Sequence, residues 1–154
     1  MTAQKPENFL KRTKALEEAM KKSKGKAVMV GLPSEKIGGE IYGDGNTVLT
    51  VGAAHEYGTP RRSFLRTPFL INKKRINKFI GLQFEKVAQG KGVDEALDII
   101  GAFCRNISVE AFRNKGYGQW KELEEETVRR KGSSRILIDT GTLRNAITWV
   151  VRND

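Results

Sequence analysis

Between His55 and Pro68 the chain reads HEYGTPRRSFLRTP. Two prolines, a Gly-Thr-Pro turn and three arginines stand here between two apolar periodic segments, so neither a helix nor a strand runs through without a break. Each proline biases the residue before it, Thr59 or Thr67, to extended backbone. Gly58 follows a run ending at Tyr57 and suits a helix stop with left-handed backbone. The expected path turns at Gly58, runs extended through Phe64 and Leu65, and restarts as a helix with Pro68 in its first turn. Phe64, Leu65 and Phe69 need a surface to bury against, while Arg61, Arg62 and Arg66 need acidic partners or water.

The length bounds what can supply that surface. A chain of 154 residues supports one core, expected as a single domain over 1–154 with an N-terminal helix in 1–24 and a flexible loop in 34–46. No window approaches the roughly 18 uninterrupted apolar residues of a membrane span, so no membrane partner is expected. The N-terminus, MTAQKPENFLKRTK, lacks the apolar stretch of a signal peptide, and general secretory export is not expected. One cysteine, Cys104, leaves no internal disulfide or cysteine-based zinc site, and one histidine, His55, removes most metal and catalytic constellations. No catalytic residue, metal or cofactor is assigned, and the expectation is that the chain is not an enzyme.

Formal net charge is +10, and its distribution says more than its sum. Residues 1–26 carry eight Lys or Arg against three Glu, and Tyr57 to Phe84 holds seven basic residues and no acid. The dense acidic patch is Glu122, Glu124, Glu125 and Glu126. Such a molecule is attracted to nucleic acid and equally to another copy of itself.

Taken in order, residues 6–23 read as a basic amphipathic helix with Phe9, Leu10, Leu16, Ala19 and Met20 near helical spacing. It either lies on the core with a solvated lysine face or reaches out to a neighbour or nucleic acid. Ala27 to Leu32 is short, apolar and partly β-branched, as a buried strand is, and Pro33 ends it. Ser34 to Asn46 contains Gly38, Gly39, Gly43 and Gly45 and reads as a mobile loop or loose hairpin, without the Gly-Lys-Ser/Thr ending of a phosphate-binding loop. Thr47 to Tyr57 alternates like a strand at first, but Val51, Ala54 and His55 ahead of Gly58 favour a helix from about Val48. His55-Glu56 resembles a general base beside its partner, yet adjacent helical residues point apart and no nucleophile stands nearby, so a structural role is preferred.

Pro68 to Ala88 reads as a long helix with Phe69, Ile76, Ile80, Phe84 and Val87 inside. Lys73, Lys74, Arg75 and Lys78 near its start oppose the helix dipole, which points to a partner. After Gly90 and Gly92, Val93 to Asn114 carries Val93, Leu97, Ile100, Cys104, Ile107 and Ala111 at steps of four and three. That seam fits an α-hairpin, with Cys104 a small buried hydrophobe. Gly116 and Gly118 stop this helix, Trp120 is a large anchor, and Glu122 to Lys131 has the acids-first order of a short helix. Ile136-Leu137-Ile138 needs cover, Asp139 or Thr140 caps a helix starting near Thr142, and Leu143, Ala146 and Ile147 face inward. The ending ITWVVRN is β-like and can pair with Ala27 to Leu32. The expected class is α+β: a long α-hairpin beside a small, mainly antiparallel sheet, with an N-terminal amphipathic helix and a Gly-rich loop.

Two blocks, AAHEYGTPRRSFLRTPF at Ala53 to Phe69 and QWKELEEETVRRKGSSRILIDTGTLRNAITW at Gln119 to Trp149, together resemble tailed-bacteriophage neck and tail-completion proteins. The virion morphogenesis group of Mu-like phages and prophages is included in that resemblance, which covers roughly 100 residues with their order and intervening helices. Residues typical of the first block are Glu56, Gly58, Pro60, Phe64, Leu65, Arg66 and Pro68, next to His55. The second block supplies Trp120, Lys131, Leu137, Asp139, Thr140, Gly141, Leu143 and Ile147. The chain departs from the pattern at Glu122, where many members have Pro, and at Thr142, where many have Arg.

The resemblance implies a structural virion protein that joins head and tail, or completes the tail, as a homo-oligomeric ring in the neck. It implies contacts with the connector or adaptor and with tail terminator or tail tube proteins, and residence in the host cytoplasm before assembly. A ring needs two complementary faces. The expected pair is basic, Arg61, Arg62, Arg66, Lys73 and Lys74 with Phe64 among them, against acidic, Glu122, Glu124, Glu125 and Glu126. Excess positive charge can face packaged DNA through phosphate contacts. The alternative is a non-specific DNA-binding protein acting through its basic patches, although no recognition-helix signal, zinc pattern or aromatic interleaving is present.

Overall fold

The computed structural model describes residues 6–37, 39, 45–58, 62–131 and 141–153. Expectations for Thr59, Pro60, Arg61, most of the Gly-rich loop, Ile136-Leu137-Ile138, Asp139 and Thr140 lie outside the described residues. The architecture is α+β, with helices packed on one face of a two-stranded antiparallel sheet.

The two β-like runs do pair. β1 (Lys26–Gly31) and β2 (Thr148–Asn153) set Val28 opposite Val151 and Val30 opposite Trp149. Alternation places those four side chains on one face and Met29, 48% exposed, on the other. The inward face meets α6 (Val93–Ala111), where Val28, Val30 and Val151 contact Leu97, Ile100 and Cys104. Trp149 rests against Gly101, where an added Cβ would come within 2.2 Å of its indole, and donates Nε1–H to Asp98 at 2.8 Å. β1 is therefore half-buried, not buried as expected, because helices cover only one face of the sheet.

α5 (Lys73–Ala88) and α6 form the expected hairpin, reversing through Gly90 at φ +108°. Ile76, Ile80 and Phe84 close over Leu97, Ile100 and Cys104, and Phe79 stacks on Phe103 with ring centroids 3.9 Å apart. Cys104 is buried in this seam, and burial pushes its thiol pKa up, so it behaves as a hydrophobe. α1 (Pro6–Lys22) lies along α5, with Ala19 against Val87 and Ala96. Its other expected inward residues do not reach the core: Phe9, Leu10 and Met20 are 62%, 60% and 65% exposed.

The long helix expected over Pro68–Ala88 is two helices, α4 (Arg66–Ile71) and α5, meeting at Asn72. Asn72 directs both its N–H and its Nδ2 to the Pro68 carbonyl, at 3.0 and 2.9 Å. An asparagine side chain that captures the carbonyl four residues back competes with helix continuation. The expected loop also begins with a helical turn, α2 (Ser34–Ile37). Glu35 accepts from Arg152 at 2.6 Å, Lys36 Nζ donates to the Trp149 carbonyl at 2.7 Å, and Ile37 joins the core, so β2 fixes this turn. Among the described residues no helix is long and apolar enough to cross a membrane.

Candidate functional site

α3 (Val48–Tyr57) begins at Thr47, whose Oγ1 accepts the Thr50 N–H at 3.1 Å, and ends at Gly58. Gly58 is not left-handed as expected: its φ of −76° and ψ of −173° are extended. Glycine is needed there for space, since a Cβ would fall 2.2 Å from the Ala54 oxygen, which accepts the Gly58 N–H. Gly52, six residues earlier, likewise leaves room for Leu32, Leu143 and Phe64.

Glu56, on the last turn of α3, is only 4% exposed. Its Oε1 accepts from Ser63 Oγ at 2.8 Å and the Arg66 N–H at 3.0 Å; its Oε2 accepts from the Phe64 and Leu65 N–H groups at 2.9 and 3.1 Å. Each oxygen thus takes two donors, which fills the carboxylate's acceptor capacity. Three of the four donors are the main-chain groups that open α4, which a carboxylate stabilises through the helix dipole. Ser63 Oγ in turn accepts the Thr67 N–H at 2.9 Å. The His55 carbonyl accepts the Arg62 N–H at 2.9 Å, tying the same loop to α3. Glu56 is therefore a brace for residues 63–66, and its oxygens have no site left for taking a proton from a substrate.

Two main-chain oxygens of this loop are held by residues distant in sequence. Ser108 Oγ, on α6, donates to the Phe64 carbonyl at 2.6 Å, and Trp120 Nε1 donates to the Ser63 carbonyl at 3.0 Å. Trp120 is delivered by an unusual turn: Lys115, Gly116, Tyr117 and Gly118 all have positive φ, between 53° and 79°. Two of these are not glycines and are held locally. Tyr117 N–H donates to Asn114 Oδ1 at 2.8 Å, and its hydroxyl lies 3.1 Å from both the Ile107 carbonyl and the Glu110 carboxylate. Gly116 cannot carry a side chain, because a Cβ would sit 2.2 Å from Trp120 Nε1.

Phe64 then packs on Phe112 with rings tilted by 53°, and Phe112 meets Trp120 edge-on, with successive centroids 5.6 and 5.5 Å apart, in one cluster with Val48, Leu143, Ala146 and Ile147. α8 (Thr142–Ala146) contributes Leu143 and Ala146 and is preceded by Gly141 at φ +78° in the cap position expected for Asp139 or Thr140. The two blocks of the sequence therefore meet: Glu56, Phe64 and Pro68 of the first and Trp120, Leu143 and Ile147 of the second are all buried within this region. Ser63, Ser108 and Tyr117 complete it without having been singled out.

The expected interface residues divide. Phe64 is 1% exposed and belongs to the core, because its backbone is pinned by Glu56 and Ser108. Arg62 is half-buried, with its Nε lacking a hydrogen-bond partner. Arg66 is exposed and lies over the Tyr57 ring at 5.6 Å, and Lys73 and Lys74 are exposed. On the acidic side Glu122 pairs with Lys115 at 2.6 Å, a contact that holds its carboxyl below the usual range. Glu125 of α7 (Glu125–Lys131) pairs with Arg129 at 3.7 Å. Lys73, Lys74, Glu124 and Glu126 form no ion pair among the described residues. Comparisons with family models, curated proteins and solved structures give no match.

Proposed function

We propose that this chain is a structural protein of a tailed-bacteriophage particle that joins head to tail, or completes the tail, by assembling with copies of itself into a ring in the neck. The observation that carries the reading is the hydrogen bond from Trp120 to the Ser63 carbonyl beneath a loop braced by Glu56. The two blocks that resemble neck and tail-completion proteins lie far apart in sequence and share one buried knot. Its polar groups are committed to shaping a loop, which suits a part built to present a surface. Lys73 and Lys74 on one side and Glu124 and Glu126 on the other keep their charge for a neighbour, and opposite charges on two faces favour a head-to-tail contact that closes by rotation. Connector and tail proteins are the expected neighbours in such a ring, and packaged DNA is the expected counter-charge for the remaining excess of lysine and arginine.

Charge reversal tests the contact. Lys73→Glu/Lys74→Glu is expected to fold with a Tm within a few degrees of the parent, since exposed charges contribute little to stability, and to fail in joining purified heads to tails. Glu124→Lys/Glu126→Lys is expected to fail likewise, and mixing the two charge-reversed chains to restore joining. Normal joining by either double variant would remove these residues from the contact. Steeply salt-dependent DNA affinity of the isolated chain, with joining unaffected, would instead favour the non-specific DNA-binding reading.

A further inference from the structure

α4 is apolar on two sides. On the inner side Pro68 is buried and Phe69 packs into the seam of the hairpin. On the outer side Leu70 and Ile71 are 66% and 50% exposed. A helix that is apolar all round calls for cover all round. Tyr57, 69% exposed, adjoins them through Arg66, whose guanidinium lies 5.6 Å over the tyrosine ring and which stands one turn ahead of Leu70. Single exposed apolar residues are ordinary, but three together mark a contact surface.

The charges of this surface belong to the same helical side. The junction at Asn72 keeps two hydrogen bonds of helical spacing, Asn72 N–H to the Pro68 carbonyl and Ile76 N–H to the Asn72 carbonyl. Arg66, Leu70, Lys73 and Lys74 therefore follow one another at steps of four, three and one along one side. The three cations are exposed and enter no ion pair among the described residues, and the chain from Tyr57 to Phe84 contains no acid. Cations around an apolar centre fit a protein partner that brings carboxylates; nucleic-acid phosphates would satisfy the cations but leave Leu70 and Ile71 uncovered.

The chain carries such a segment itself. Residues 122–126 read ELEEE, four carboxylates flanking the half-buried Leu123 with no base among them. Glu124 and Glu126 are exposed, and no ion pair among the described residues joins the segment to Arg66, Lys73 or Lys74, so both surfaces stay open to a neighbour. We propose that Tyr57, Leu70 and Ile71 form the apolar centre of the contact between copies and dock residues 122–126 of a second copy, with Arg66, Lys73 and Lys74 at the rim. The assignment rests on the ring reading above and adds the source of its affinity: burial of the apolar centre holds two copies together, while the charges set which faces meet.

Photo-cross-linking tests the contact in the full chain. A chain with p-benzoylphenylalanine in place of Ile71 is mixed with an equal amount of heavy-isotope chain and with purified heads and tails, irradiated, and digested for mass spectrometry. The expected product joins position 71 of the light chain to a heavy peptide containing residues 122–126. Leu70→Asn in the light chain and Glu124→Lys/Glu126→Lys in the heavy chain are each expected to reduce that product by at least about tenfold while leaving the circular dichroism spectrum and Tm unchanged. Indifference to Leu70→Asn, or cross-links from position 71 only to another part of a copy, to a head or tail protein or to DNA, would overturn the assignment, and the ring reading would survive if other pairs between copies form. Absence of any light–heavy pair, both from this probe and from a second placed at Glu124, would contradict the ring itself.

Discussion

Glu56 is the residue on which the central loop depends, and its replacement separates bracing from chemistry. Glu56→Gln keeps the shape but replaces one carboxylate oxygen with an NH2 group, leaving either the Phe64 and Leu65 N–H groups or the Arg66 N–H without an acceptor. The expected cost is about 3 kcal/mol, read from the midpoint shift in urea unfolding. Tyr117 gives a second test through pH. Burial, followed by its contact with Glu110, pushes its pKa from the ordinary value near 10 up to about 12. A group whose folded pKa is raised contributes stability that is present below the unfolded value and lost as pH rises through the folded one. Stability should therefore decline between pH 10 and about 12 more steeply in the parent than in Tyr117→Phe; parallel curves would contradict the assignment. Sequence marks Glu56 as notable but not its role, because three of its four donors are main-chain groups that no residue pattern reports. Phe64 is misread for a similar reason: arginines flank it in sequence, while the pinned backbone turns its ring inward.

Among the elements, the hairpin was legible because α6 repeats its apolar residues in steps of four and three, and α8 because Leu143, Ala146 and Ile147 share a side. The break at Asn72 was not, since asparagine is tolerated within helices and its bond to the Pro68 carbonyl depends on where α4 ends. The outward face of α1 was also hidden: periodicity identifies an apolar face but not how much of it a neighbour covers. Contact between sheet and hairpin includes Trp149 lying against Gly101, beside Val28, Val30 and Val151 on Leu97, Ile100 and Cys104. Gly101→Ala should displace the indole, cost about 1–3 kcal/mol, and accelerate hydrogen exchange at Val28 and Val30 more than along α5. Gly81→Ala, with open space around it, should stabilise the chain by up to about 1 kcal/mol. Equal effects at the two glycines would mean that the sheet is not held by this contact.

At the scale of the molecule, pairing of β1 with β2 brings the C-terminal end of the described chain back to residues 26–31, and the knot around Phe64 and Trp120 joins its middle. The pairing was legible from two β-like runs, whereas the convergence of Ser63, Ser108 and Trp120 required the path of α6 and the left-handed turn after it. This frame presents exposed charge at Lys73, Lys74, Glu124 and Glu126, and the proposed ring depends on that charge meeting its complement on another copy. The proposed function puts the gene in a phage or prophage, and the most direct test is its deletion there, followed by negative-stain electron microscopy of the lysate and addition of the purified protein. Filled heads lying beside separate tails, joined when the protein is added, are the predicted result. Intact infectious particles from the deletion strain would contradict a joining role.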